Sequence, residues 1–130
     1  MTQQAQSPML NTSSGAMLGL GAPIVQVYDV STLTANGTIT LTPSSPFSKG
    51  RLRVKSSALA AAGTPALGAV TVTDGANTCV VTQQLMAAGA AGVNFDVSLE
   101  FVTDLAATSL SFPVTTAAAC TFNSELFGNP

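Results

Sequence analysis

The most constraining feature of this sequence is the strict alternation of apolar and polar side chains over residues 93–101. A period of two residues places alternate side chains on opposite faces of a β-strand. We therefore expect a strand whose odd-numbered face is buried and whose even-numbered face is in water. On this interpretation Phe95, Val97 and Leu99 build the core, and Asp96 and Glu100 are solvated.

Two hairpins are predicted from turn signals between β-branched segments. The dipeptide Asn36-Gly37 tolerates the two positive φ angles of a type I′ turn, so it predicts a hairpin between residues 24–30 and 38–42. A second hairpin is predicted between residues 70–73 and 78–82, across a turn that begins at Asp74.

Further short strands complete an all-β pattern, and they are predicted at residues 51–57, 108–114 and 117–122. Pro113 lacks a backbone N–H, which predicts a sheet edge or a bulge for its strand. The Ala- and Gly-rich connection after residue 57 is compatible with a short helix. About eight strands with turns at this spacing predict a β-sandwich, a jelly roll or a small barrel.

Residues 1–23 have a different character, because they are rich in Gln, Ser, Thr and Gly and have no regular apolar period. We expect an extended N-terminal arm at 1–23, followed by one β-sandwich domain at 24–130. Ordering such an arm costs about 1–2 kcal/mol per residue in backbone entropy, so it needs an anchoring surface. That surface is either a neighbouring subunit or the arm's own domain. The arm residues predicted to contact a partner are Met9, Leu10, Met17, Leu18 and Leu20.

The composition argues against enzymatic chemistry. The sequence has no histidine, which removes the commonest general base and metal ligand. Asp96 and Glu100 would lie about 13 Å apart along a strand, further than the roughly 5–9.5 Å of a glycosidase pair. No phosphate-binding loop is present, and the turn at Asp74 has too few oxygen ligands for calcium. We expect a protein without catalytic residues, cofactor or metal, and a small carboxylate-dependent hydrolase is the remote alternative.

The two cysteines and the apolar stretches predict nothing beyond a folded domain. Cys79 and Cys120 share strand parity with apolar neighbours, so both thiols are predicted to point inward as small buried side chains. A disulfide between neighbouring strands is the alternative, and a reducing cytoplasm disfavours it. The most apolar stretch, residues 58–72, contains Pro65 and is too short for a membrane span. The N-terminal residues lack the pattern of a secretory signal, so cytoplasmic synthesis is expected.

All positive charge is concentrated at alternate positions of one predicted strand. These residues, which we call the basic stripe, are Lys49, Arg51, Arg53 and Lys55. Alternation puts them on one face over about 20 Å, with Leu52 and Val54 on the other face. The stripe either binds acidic groups of a partner or marks a charged sheet edge that prevents wrong strand pairing. Nucleic acid is disfavoured because the net charge is −2 and no aromatic stacking residues accompany the stripe.

Three features together resemble small structural proteins of tailed bacteriophages: the polar arm, the Thr-rich strands at residues 37–42 and 69–73, and the apolar tail Leu126-Phe127. Capsid cement or decoration proteins are the most similar type. The resemblance implies a dimer or trimer at junctions between major capsid proteins, made in the host cytoplasm and located in the virion. It also implies partner contacts through the arm and the tail. A tail-tube, fibre or connector component is the alternative.

Overall fold

The computed structural model describes residues 25–130, and within them the chain forms nine β-strands and no helix. The strands are β1 (Val25–Leu33), β2 (Gly37–Leu41), β3 (Phe47–Leu59), β4 (Ala66–Leu67), β5 (Val70–Thr73), β6 (Thr78–Thr82), β7 (Asp96–Ala107), β8 (Ser109–Thr115) and β9 (Cys120–Asn129). The connection between β3 and β4, for which a short helix was allowed, is a turn.

The strands make two antiparallel sheets, and the predicted β-sandwich class is confirmed. The first sheet has the order β1-β9-β3-β7. The second has the order β2-β8-β5-β6, with β4 paired to β8 beside β5. The core lies between the sheets and is built from their inward faces. Its largest fully buried side chains include Phe47, Phe112, Phe122, Leu41, Leu52, Leu67, Leu110 and Leu126.

The predicted parity of the alternating strand is confirmed, although β7 begins at Asp96 rather than at residue 93. Its odd-numbered residues face the core, where Phe101 is buried and Val97 and Leu99 are partly buried. Phe95 precedes the strand and packs against the ring of Phe122 with centroids 6.0 Å apart. Val93 is 59% exposed, so the inward face starts later than the pattern predicted.

The predicted hairpin at Asn36-Gly37 is wrong. β1 pairs with β9 and β2 pairs with β8, so the two segments belong to different sheets. Gly37 does not adopt a positive φ angle. Instead, Asn36 Oδ1 accepts a hydrogen bond from the backbone N–H of Thr116 at 3.0 Å, which fixes the crossover between sheets. The turn signal is local, whereas each strand buries its apolar face only beside a distant strand.

The second predicted hairpin is confirmed as β5 and β6, which pair antiparallel. Gly75 in its turn has a φ of 99°, a conformation that favours glycine. Asp74 Oδ1 accepts hydrogen bonds from the backbone N–H groups of Asn77 at 2.7 Å and Ala76 at 2.9 Å. These hydrogen bonds lower the pKa of Asp74, because they stabilise the charged carboxylate.

Pro113 lies in an interior strand, so of the two positions predicted for its strand, a sheet edge or a bulge, the sheet edge is wrong. β8 pairs with β2 on one side and with β4 and β5 on the other. The carbonyl oxygen of Pro113 accepts a hydrogen bond from Gly68 N at 2.9 Å, in the break between β4 and β5. Because N–H and C=O of one residue point to the same side of a strand, the missing N–H of Pro113 faces that break. The interior position is therefore tolerated, since no ladder hydrogen bond is lost.

Both cysteines contribute to the core, as their strand parity predicted. Cys120 is buried, Cys79 is partly buried, and both thiols are free. Burial raises the pKa of the Cys120 thiol, because it disfavours the charged thiolate.

Candidate partner-binding surfaces

The basic stripe lies in the middle of the first sheet. Leu52 and Val54 are fully buried while Arg51 and Arg53 point outward, so the predicted alternation is confirmed. β3 has hydrogen-bonded neighbours on both sides, β9 and β7. The interpretation of the stripe as a protected sheet edge is therefore wrong, because an interior strand offers no unpaired backbone groups.

Carboxylates flank the basic stripe on both sides. Arg53 donates two hydrogen bonds to Asp96 on β7, from Nε to Oδ1 at 2.9 Å and from Nη2 to Oδ2 at 2.6 Å. This pairing raises the pKa of Arg53 and lowers that of Asp96, since each charge stabilises the other. Arg51 lies opposite Glu100 in the strand register, and Arg53 lies opposite Glu125 of β9. The stripe is thus half of a mixed-charge surface.

We call the outward surface of the first sheet the charged face. Eight of the ten charged residues of the chain lie on it, and the other two are Asp29 and Asp74. The charged-face residues are Lys49, Arg51, Arg53, Lys55, Asp96, Glu100, Asp104 and Glu125. Because both signs alternate across neighbouring strands, this face carries no excess of positive charge for an acidic partner.

The charged face contains a small hollow beside the exposed ring of Tyr28. The hollow has a volume of about 110 Å³ and is lined by Tyr28, Arg53, Lys55, Asn123 and Glu125. The hydroxyl of Tyr28 donates a hydrogen bond to Asn123 Oδ1 at 3.3 Å. Ligand pockets usually enclose about 300–1,000 Å³, so this hollow is small for an organic ligand.

The apolar tail of the sequence is not a tail in the structure, because both of its residues belong to strand β9. Leu126 is 1% exposed and lies in the core, so its prediction as a partner contact is wrong. Phe127 points outward and is half-buried, with the guanidinium carbon of Arg51 5.8 Å from its ring centroid. An inward-facing residue of an interior strand cannot reach a partner, whereas its neighbour on the outer face can.

The outward surface of the second sheet has the opposite character, and we call it the neutral face. Its side chains are mostly hydroxyl-bearing, and none of them is charged. They are Thr38, Thr40, Thr71, Thr73, Thr78, Val80, Ser109, Ser111, Pro113 and Thr115. One continuous row crosses all four strands, from Thr40 through Ser111 and Thr71 to Val80. Alternating threonines in the sequence signal this face, but only the sheet assembles them.

The remaining question about the carboxylates is whether they could bind a metal ion. Within residues 25–130, no group of three or more His, Cys, Asp or Glu side chains is placed to hold a metal ion. Asp29 lies on β1, away from the carboxylates of β7, and accepts a hydrogen bond from Ser31 at 2.5 Å. No helix in the described part of the chain is long and apolar enough to span a membrane. The arm residues predicted as partner contacts lie outside the described residues.

Comparisons with known proteins identify no family for this chain. No family model and no curated protein matches the chain. A mitogen derived from Yersinia pseudotuberculosis shares 9% identity over 81% of this chain and 85% of its own, with a TM-score of 0.46. A mutant family 29 carbohydrate-binding module shares 13% identity over 78% of this chain and 74% of its own, with a TM-score of 0.47. A chain of infectious bursal disease virus, Gt strain, shares 9% identity over 85% of this chain and 32% of its own, with a TM-score of 0.46. Because these identities are low and the TM-scores lie below 0.5, the three likenesses carry no conclusion about this chain.

Proposed function

We propose that this protein is a non-enzymatic structural protein of a virion, which stabilises a capsid by packing its neutral face against a junction between major capsid proteins. The observation that carries the proposal is the segregation of charge: eight of ten charged residues lie on one face of the sandwich, and the opposite face has none. The charged face then points to solvent and keeps the assembled particle hydrated.

The neutral face is the less costly surface to remove from water. An isolated ionised side chain costs several kcal/mol or more on burial, whereas a threonine hydroxyl needs one hydrogen-bond partner. Part of that requirement is met within the sheet, where the hydroxyl oxygens of Thr71 and Ser111 are 3.1 Å apart. The centres of protein interfaces are likewise depleted of charged residues. The two faces therefore differ in the property that decides which of them binds a partner.

The neutral face alone is smaller than a standard interface. Four strands at a spacing of about 4.8 Å, each contributing about five residues, present on the order of 300 Å². Stable interfaces bury about 800 Å² on each partner. We therefore propose that the arm provides further contact area on a neighbouring subunit. Its contacting residues would be Met9, Leu10, Met17, Leu18 and Leu20.

The proposal is tested by placing one charge on each face. Thr40 and Ser98 are exposed strand residues, the first on the neutral face and the second on the charged face. Thr40→Lys and its matched control Ser98→Lys are compared for co-sedimentation with shells made of the major capsid protein encoded in the same genome. We expect Thr40→Lys to weaken binding at least tenfold and Ser98→Lys to change it less than twofold, with the melting temperature of both variants unchanged.

Two results would contradict the proposal. Equal binding by Thr40→Lys and the wild type would remove the neutral face from the interface. A loss of binding confined to Arg51→Ser with Arg53→Ser would instead assign partner binding to the basic stripe. Electron microscopy of the purified protein distinguishes the tail alternative, because a tail-tube or fibre component would form stacked rings or fibres by itself.

A further inference from the structure

The four edge strands of the sandwich differ in how well they are protected against pairing with another chain. Natural sheets protect their edges with short strands, charges, proline or bulges. β2 and β6 are five residues long, and β7 carries three exposed carboxylates at Asp96, Glu100 and Asp104. β1 has nine residues with a single charge, at Asp29, and no proline.

Of the four protections, β1 has only one, the single charge of Asp29. Its register with β9 runs without a shift over all nine residues, so the strand contains no bulge. Two neighbouring side chains on its outward face are large, apolar and exposed: Tyr28 at 57% and Val30 at 56%. Among residues 25–130, no strand pairs with the other side of β1. A long edge with one charge and with exposed apolar side chains is a template for an additional strand.

We propose that the additional strand is β1 of a second copy of this chain, paired antiparallel about a two-fold axis at Val30. Directly opposite residues of an antiparallel pair point to the same face, and a two-fold axis places one residue opposite itself. The self-opposed residue fixes every other pairing. The candidates for the self-opposed residue near the middle of β1 are Tyr28, Asp29 and Val30.

Of the three registers, only the one centred on Val30 places Asp29 opposite neither another carboxylate nor an apolar side chain. If Asp29 faced itself, two carboxylates would repel each other across the interface. If Tyr28 faced itself, Asp29 would lie opposite the apolar Val27. The register centred on Val30 pairs Asp29 with Ser31, the residue whose hydroxyl already donates to the Asp29 carboxylate.

The remaining pairs of that register are also compatible. Tyr28 lies opposite Thr32, which is an aromatic and β-branched pair of the kind that stabilises sheets. Val27 lies opposite Leu33, and both are partly buried against the core of their own domain. Seven residues of each strand pair, which joins two four-stranded sheets into one of eight strands. This inference goes beyond the proposed function and does not depend on it.

Disulfide trapping tests the register. A cysteine at the self-opposed position lies beside its own copy, so Val30→Cys should form a covalent dimer under mild oxidation. Tyr28→Cys and Thr32→Cys should each remain near the wild-type background set by Cys79 and Cys120, but a mixture of the two variants should form a dimer. We expect at least a tenfold excess of covalent dimer for Val30→Cys and for the mixture. Equal linking by all three single variants would overturn the register.

Sedimentation velocity tests the dimer itself, using the full chain. Val30→Lys places two ammonium groups opposite each other and should weaken dimerisation at least tenfold, while Val102→Lys on the other edge of the sheet should leave it unchanged. Val102 is a matched control, since it is 73% exposed on the edge strand β7. A monomeric wild type, or a dimer that forms only after residues 1–20 are deleted, would overturn the proposal, the latter because the arm would then cover the edge.

Discussion

Truncation of Leu126 tests whether β9 belongs to the core, because the sequence alone predicts this residue as part of an exposed tail. Leu126 is 1% exposed and faces inward on an interior strand, with Val27 and Leu52 opposite it on the two neighbouring strands. Both sides of its strand are hydrogen-bonded, which limits how far the surroundings can collapse into a cavity. Leu126→Ala should therefore cost about 3 kcal/mol, within the range of about 2–5 kcal/mol for buried leucines.

A loss of this size is a large share of the stability of one domain, which is typically about 5–15 kcal/mol. With a urea dependence of about 2 kcal/mol per molar, the unfolding midpoint should fall by about 1.5 M. Equilibrium unfolding in urea, followed by circular dichroism, measures this shift. The unfolding should remain a single transition with an unchanged slope.

Phe127→Ala is the matched control, because Phe127 is the adjacent residue on the outward side of the same strand. Its ring is half-buried and contacts the guanidinium group of Arg51, an interaction of about 0.5–1 kcal/mol at an exposed site. The control should therefore lose about 1 kcal/mol. Two results would refute the assignment of strand faces. One is a loss below about 1 kcal/mol for Leu126→Ala, and the other is a loss for Phe127→Ala that exceeds the loss for Leu126→Ala.

Acid should destabilise the domain, because folding lowers the pKa of Asp74 and of Asp96. Such carboxyl groups stabilise the fold above their unfolded pKa, and this contribution disappears as the pH falls through the folded value. Tm should thus be level from about pH 7 to 5 and fall below about pH 4. In Asp96→Asn this fall of Tm with pH should be less steep. An equally steep fall in the variant would contradict the pairing of Asp96 with Arg53. Gly92→Ala should destabilise more than Gly75→Ala in urea unfolding: both glycines have positive φ, but an added Cβ at Gly92 would lie 2.7 Å from the Ala61 carbonyl oxygen, whereas Gly75 has open space. Equal losses of stability in the two variants would show that the backbone at Ala61 moves to accommodate the Cβ at Gly92.

The sequence by itself determined the properties that depend on neighbouring residues. The period of two predicted the fold class, the inward parity of β7, and the alternation of the basic stripe around Leu52 and Val54. The turn that begins at Asp74 predicted the β5–β6 hairpin, because its carboxylate and the following glycine close the turn locally. These features need no distant partner, so their signals are complete within a few residues.

The tertiary structure alone decided which strands are neighbours, and this choice changed the meaning of several residues. Asn36-Gly37 became a crossover between sheets, Pro113 an interior residue, and Leu126 a core residue. The basic stripe moved from a supposed edge to the middle of a sheet, between carboxylates that come from distant parts of the chain. The physical reason is that strand pairing is set by long-range burial and by backbone hydrogen bonds, which leave no local period in the sequence. The neutral face has the same origin, since its threonines become one surface only after four separated strands are aligned.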